Sequence, residues 1–419
     1  MKVVELICAT CGTIFCFKSF RILKCNKYNA LNLCNLLFFV IQILPMYLQI
    51  LFGIGKDISR RTEGLLYDAL LDTKVDMIYC LFIAITPMLI HYFSLKIPHV
   101  EHLKSIDIPI EKLSKNAFLK MILFLGMFIT VPFILFAPKI ESYLHFANFW
   151  GYKDKLSPEY LYHSQIMSKV NMIAFFCILF FYMLNKKQTN NFFIAIAMIL
   201  MTWINGKRTL ILFTFIGIIA IDSFVKKHKF TGIIKKAILF IIIEVCYFLI
   251  YREITGKGSS TDFYSLYTLY FSRMGNVKLS IYELFDSRNM LDYPCQTILY
   301  DLFWFVPRVL WPTKPYMYVK YHTSYAFNMD PLEMPWNFQV NIWTEMYSNL
   351  GLISPLISVI IMYIIAKRIE KSSSMLAYLS GIGFLCLYSV FGFEGTVCKL
   401  FTAMILFLIS EKFSFKKVE

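Results

Sequence analysis

Residues 31–54 read LNLCNLLFFVIQILPMYLQILFGI, 24 residues without one charged side chain. A helix rises about 1.5 Å per residue, so some 20 apolar residues cover the roughly 30 Å of bilayer hydrocarbon. Hydrocarbon offers no partner to a free N–H or C=O, so such a run must satisfy its backbone as a helix. The pattern recurs along the chain. Apolar stretches at about 3–17, 31–54, 75–95, 117–137, 165–184, 191–205, 209–225, 237–251, 341–366, 375–392 and 396–411 predict eleven spans. Composition agrees: 58% of the 419 residues are hydrophobic and 16% are charged, against about 25% charged in a soluble domain. The first stretch has no sizeable basic start and no A-x-A exit, which predicts a retained helix rather than a cleaved signal. The expected fold is all-α and polytopic. Residues 1–251 form an N-terminal bundle of about eight spans, 252–340 one large outer loop with interfacial helices, and 341–419 about three spans and a short tail.

Charge sets the expected orientation. Lys18, Arg21, Lys24 and Lys27 follow the first stretch, Lys186 and Lys187 the fifth, Lys226, Lys227, Lys229, Lys235 and Lys236 the seventh, and Lys367, Arg368 and Lys371 the ninth. Segment 96–120 adds five lysines against Glu101, Asp107 and Glu111. The alternate connections are balanced: four basic and four acidic residues in 56–74, three and three in 138–164, eight and eight in 252–340. Basic loops stay cytoplasmic, which predicts an outer N-terminus, a cytoplasmic C-terminus and an outer 252–340. The net charge of +15 is thus a topology signal and a partner for anionic lipid heads, with no nucleic acid implied. Lys207 and Arg208 break the rule by falling in a hairpin assigned outside, where two cations suit a phosphate. The 11 cysteines lie mostly in apolar runs, including Cys8 and Cys11, and are expected to pack there as small hydrophobes.

Loop 252–340 is the one connection long enough for a site of its own, and its aromatic content argues for order. In 261–285 the apolar positions recur at helical spacing, predicting an interfacial helix with Arg273 turned to water or ligand. Ile298–Trp311 is too short to span and fits a re-entrant or interfacial segment. It ends in a run where Pro307, Pro312 and Pro315 stiffen the chain and hold Arg308 and Lys314 on a turn beside Trp304 and Trp311. Trp336 and Trp343 could stack on sugar rings or anchor at the interface. Glu345, near a helix start, is the candidate proton acceptor, with Glu283 or Glu244 as alternatives. No D-x-D in the loop and no histidine pair has metal-ligand spacing, so neither metal nor cofactor is expected.

Pro307-Arg308, Trp311-Pro312-Thr313-Lys314-Pro315, Glu345 with Asn349-Leu350-Gly351, and Asn205-Gly206-Lys207-Arg208-Thr209, set in this layout of spans and loop, resemble the bacterial O-antigen polymerases of the Wzy type. The architectural likeness covers nearly the whole chain; the motifs cover about 25 residues. The resemblance implies a glycosyltransferase of the bacterial inner membrane. It would polymerise undecaprenyl-diphosphate-linked oligosaccharide units into O-antigen or capsule at the outer face, with a flippase and a chain-length regulator as partners. Glu345 and Arg308 would be catalytic; Lys207, Arg208, Arg252, Arg273, Lys314, His322, Trp311 and Trp336 would contact diphosphate or glycan. The alternatives are an O-antigen ligase, in which His322 would serve as the loop histidine, and a flippase, which internal repeats would favour.

Overall fold

The computed structural model describes residues 2–24, 29–54, 60–97, 115–138, 140, 143, 158–185, 191–205, 214–215, 217–219, 221–222, 232–240, 242–243, 246, 267, 272–331, 337–372, 375–393 and 395–415. Its regular elements are helical throughout the described residues. They are α1 (Lys2–Lys24), α2 (Ala30–Phe38), α3 (Leu44–Phe52), α4 (Leu65–Leu71), α5 (Thr73–Ser94), α6 (Ala117–Met127), α7 (Pro158–Leu184), α8 (Asn191–Asn205), α9 (Met274–Tyr282), α10 (Gln296–Leu302), α11 (Tyr318–Phe327), α12 (Ile342–Leu350), α13 (Ser354–Ile369), α14 (Met375–Phe391) and α15 (Gly395–Phe415). Among the described residues five helices are long and apolar enough to cross a membrane: Lys2–Ile22, Ala30–Phe52, Thr73–Ser94, Ala117–Ile134 and Ile342–Ile369. Leu51, Met77, Leu81, Met121 and Leu125 point outward and exposed, as side chains facing lipid would. In coarse outline this is a helical membrane protein. Of the stretches read as spans, 209–225 and 237–251 fall largely outside the described residues.

The chain divides into two units, Met1–Ile106 with Thr261–Glu419, and Asp107–Ser260. In the second, Met127, Ile178, Phe181, Met198, Met201 and Ile218 form an apolar core. Tyr182 donates to Asp222 (2.7 Å), and Lys236 pairs with the same carboxylate.

The first unit holds the candidate site. Pro87, inside α5, has no N–H and leaves the Ile83 carbonyl without its helical donor. Gly12 of α1 packs there; a Cβ would lie 2.2 Å from that oxygen. Glycine thus lets the two helices touch backbone to backbone. Between α2 and α3 the chain makes a π turn, Phe39–Ile43, which shifts the ladder and frees carbonyls. The Arg273 amide donates to Ile41 O (2.9 Å), and the Tyr267 hydroxyl donates to Val40 O. Asn341 caps α12 by accepting from the Thr344 amide (3.0 Å), and Thr344 answers by accepting from the Asn341 amide (2.8 Å). Gly351, at φ 64°, ends α12, so the candidate span Ile342–Ile369 is built from α12, a 3-10 turn and α13. Trp343 sits between the Phe38 and Phe82 rings, at 5.5 and 5.7 Å. It is therefore a core residue and neither a sugar platform nor an interfacial anchor.

Helix α9 departs from expectation. Met274 and Asn276–Ile281 are all buried, so it does not lie on an interface with a wet polar face. Lys278 forms a buried ion pair with Asp76 of α5 and donates to Gln49 Oε1 (3.2 Å).

Candidate functional site

Residues 288–331 line an open groove of about 700 Å³ whose walls carry tyrosines, carboxylates and amides, with Arg288, Asp292, Tyr316, Tyr321, Tyr325 and Asp330 among them. Its walls are fixed by hydrogen bonds. The Tyr321 hydroxyl accepts from the Tyr316 amide (3.2 Å) and from Gln296 Nε2 (3.1 Å), and Gln296 Nε2 also donates to Asp292 (2.8 Å). Tyr325 donates to Asp286 (2.6 Å), which also takes the Arg288 guanidinium at 3.0 Å. These donors hold the Asp286 carboxyl below the usual range despite the opposing effect of burial. Tyr321 and Tyr325 share one face of α11 at i, i+4. The helix ends on Asn328 in the left-handed region (φ 53°), with Met329 N donating to Ser324 O at 3.1 Å. Asparagine tolerates that conformation better than most residues.

Behind the groove lies a buried polar network. Tyr318 bridges Ser280 (2.8 Å) and Ser348 (2.9 Å). Glu283 Oε1 accepts from the Met290 amide (2.8 Å), while Oε2 has no partner. Burial raises the Glu283 carboxyl above the usual range. One turn before Ser348, Glu345 is 1% exposed. Its carboxyl lies against the Thr297 hydroxyl and the Asp301 carboxyl of α10, and its Oε1 meets no donor. Asn349 Nδ2 ties the group together, donating to Thr297 Oγ1 and to Glu345 O, both at 2.8 Å.

Several expected substrate contacts turn out to be structural. Arg273 is buried rather than turned to water; its guanidinium donates to Val390 O (3.1 Å), Ser272 O (3.0 Å) and Gln339. Lys314 is 5% exposed. Its ammonium donates to Trp304 O (2.7 Å) and Val306 O (2.9 Å), and burial, then the Arg308 charge, lower it from the usual lysine range. Both cations were expected to face ligand; Arg273 is instead taken up by the end of the Met375–Phe391 helix, Ser272 O and Gln339, and Lys314 by carbonyls of the irregular chain. Arg308 stays exposed but commits two donors to Lys314 O (2.6 Å) and Pro315 O (3.0 Å), with its guanidinium over the Tyr316 ring at 4.1 Å. His322 is fully buried, its Nε2 donating to Asn276 O (3.2 Å), and burial lowers it to about 4. It is a neutral core residue, not a ligand contact. Trp311 stays half-buried, its Nε1 donating to Thr313 (3.2 Å). Lys207, Arg208, Arg252, Trp336 and Glu244 lie outside the described residues.

Leu302, Phe305, Val309 and Leu310 are exposed apolar side chains, Val309 90% and Leu310 77% exposed. Sequence reading missed Asp301, hidden in an apolar run, and the groove tyrosines. The run Tyr316, Tyr318, Tyr321 and Tyr325 was the available signal. Among the described residues no three His, Cys, Asp or Glu side chains are grouped to hold a metal. No family model, curated protein or solved structure matches this chain.

Proposed function

We propose that the chain is a glycosyltransferase that polymerises polyprenyl-diphosphate-linked oligosaccharide units at the outer face of a bacterial inner membrane, yielding O-antigen or capsule. The observation that carries this reading is that one segment, 288–331, contains both the residues of a tyrosine- and carboxylate-lined groove and the exposed apolar side chains of Leu302, Phe305, Val309 and Leu310. That pairing suits an amphiphile with a sugar head and a lipid tail. Segment 252–340 is then the outer loop, and Leu302–Leu310 dips into the interface. Glu345, backed by Asp301, is the base for the acceptor hydroxyl. Arg308 serves as a positioning residue through Tyr316. The buried, neutral His322 disfavours the ligase alternative.

Deleting the gene and running surface glycans on a gel tests this. Core bearing a single unit is expected. Full polymer stranded on its lipid carrier would indicate a ligase, and units left facing the cytoplasm a flippase. Activity should survive exhaustive chelation; loss restored by Mg²⁺ or Mn²⁺ would overturn the metal-free mechanism.

A further inference from the structure

We infer that Lys96 and Lys367, on either side of the touching rings of Phe93 and Tyr363, form a headgroup site for an anionic phospholipid in the crevice between α5 and α13. The site shares no residue with the groove at 288–331 and does not depend on the glycan-polymerising reading. One end of the first unit gathers helix termini that carry cations. Asn29, just before α2, donates its side-chain amide to Ser94 O at the end of α5 (2.9 Å), and the Ala30 amide donates to Glu370 at the end of α13 (3.0 Å). Ser19, late in α1, meets His91 of α5 at 3.5 Å. Helices α1, α5 and α13 therefore end together. Exposed on these ends are Lys18, Arg21, Lys96, Lys367, Arg368 and Lys371. Glu370, between Arg368 and Lys371, is buried and turned to the Ala30 amide.

Two of these cations sit against one aromatic contact. Phe93 and Tyr363 touch across α5 and α13, their ring centroids 5.1 Å apart. Lys96 Nζ lies 4.3 Å from the Tyr92 ring and 5.5 Å from Phe93, and Lys367 Nζ lies 5.7 Å from Tyr363. Among the described residues neither lysine pairs with a carboxylate. A ring face takes one side of an ammonium and leaves N–H donors for a phosphate. Thr73–Ser94 and Ile342–Ile369 are both candidate spans, so both ammonium groups stand at the margin of the hydrocarbon, where lysine side chains rise to the headgroups. Beside them Tyr92, Leu95 and Ile364 are exposed. Inorganic phosphate would leave these apolar side chains uncovered. An anionic lipid covers them with its acyl chains and sets its phosphate between the lysines, as basic pockets between spans do for anionic headgroups.

The test uses the purified full chain in detergent and native mass spectrometry, with phosphatidylglycerol or phosphatidylcholine added at equal concentration. A lysine near an anionic surface contributes about fivefold, so phosphatidylglycerol should be retained roughly tenfold or more over phosphatidylcholine. Inorganic phosphate in large excess should not displace it. Lys96→Gln with Lys367→Gln changes exposed side chains, should leave the thermal midpoint in lipid-free detergent unchanged, and should lower retention to that of phosphatidylcholine. Lys96→Arg with Lys367→Arg should keep the preference. Lys18→Gln with Arg21→Gln removes as much charge from the same end but spares the crevice, and should keep most of the lipid. Equal retention of both lipids, an equal loss in the two glutamine pairs, displacement by phosphate, or a dimer of the chain without bound lipid would overturn the inference.

Discussion

Replacing Arg308 with lysine separates two roles for this cation. If it acts by charge on the substrate, lysine should serve nearly as well. In the structure it forks onto two carbonyls and lies flat over Tyr316, and lysine can do neither with the same geometry. Hydrogen bonds from a charged group contribute about 1.5–3 kcal/mol each in enclosed settings. An exposed cation–π contact adds about 0.5–1 kcal/mol. Arg308 is exposed, so screening and competing water cut these figures, leaving about 2 kcal/mol for ordering the 308–316 turn. At about 1.4 kcal/mol per tenfold, the ordered Tyr316 wall becomes roughly thirtyfold less populated. Both Arg308→Ala and Arg308→Lys should therefore shorten polymer sharply on a glycan gel while lipid-linked single units persist. Near-normal polymer from the lysine variant, with loss in the alanine variant, would refute a positioning role. Normal polymer in both would remove Arg308 from the site altogether.

Glu345→Gln should cut polymerisation by about 10²–10⁴, the range of general base catalysis, with the melting midpoint retained; full activity would transfer the base role to Glu283. Asn328→Ala should lower stability by about 1 kcal/mol, since alanine resists the left-handed region, and Asn328→Gly should cost less; equal midpoints for both would contradict the strain argument. Burial lowers His322 to about 4, against about 6.5 unfolded, so between those values only the unfolded chain takes the proton. Its contribution is complete above pH about 6.5 and falls by about 3 kcal/mol by pH 4; His322→Gln should flatten that part of the midpoint-versus-pH curve, and an unchanged slope would count against it. Gly12→Val should lower the midpoint by an amount equivalent to about 1–3 kcal/mol, because its Cβ would meet Ile83 O at 2.2 Å; no change would mean α1 is free to move away.

The helices were legible because apolar periodicity is local, and α1, α5, α8 and α14 lie within a few residues of the expected stretches, apart from the extension of α1 to Lys24. The partners of charged loop residues were not. Arg273 reaches Val390 across 117 residues, and Lys278 meets Asp76 on a helix laid down far earlier. A cation in a long loop looks solvated until its distant acceptor is known. The prolines correctly announced a stiff turn at 307–315, yet nothing in that pattern tells whether Arg308 and Lys314 face outward or tie the turn to itself. Glu345 stood out by its place near a helix start. Asp301 did not, because only the packing of α10 on α12 makes the two carboxyls neighbours.

The pairing of Asp76 with Lys278 also constrains the order of biosynthesis. The lysine follows the aspartate by roughly 200 residues, and ribosomes add about 5–20 residues per second. For some 10–40 s the nascent α5 carries an acid with no counter-ion. During that interval the growing chain favours keeping Asp76, in the first turn of its helix, in the water at the membrane surface, since a lone charge in hydrocarbon is costly.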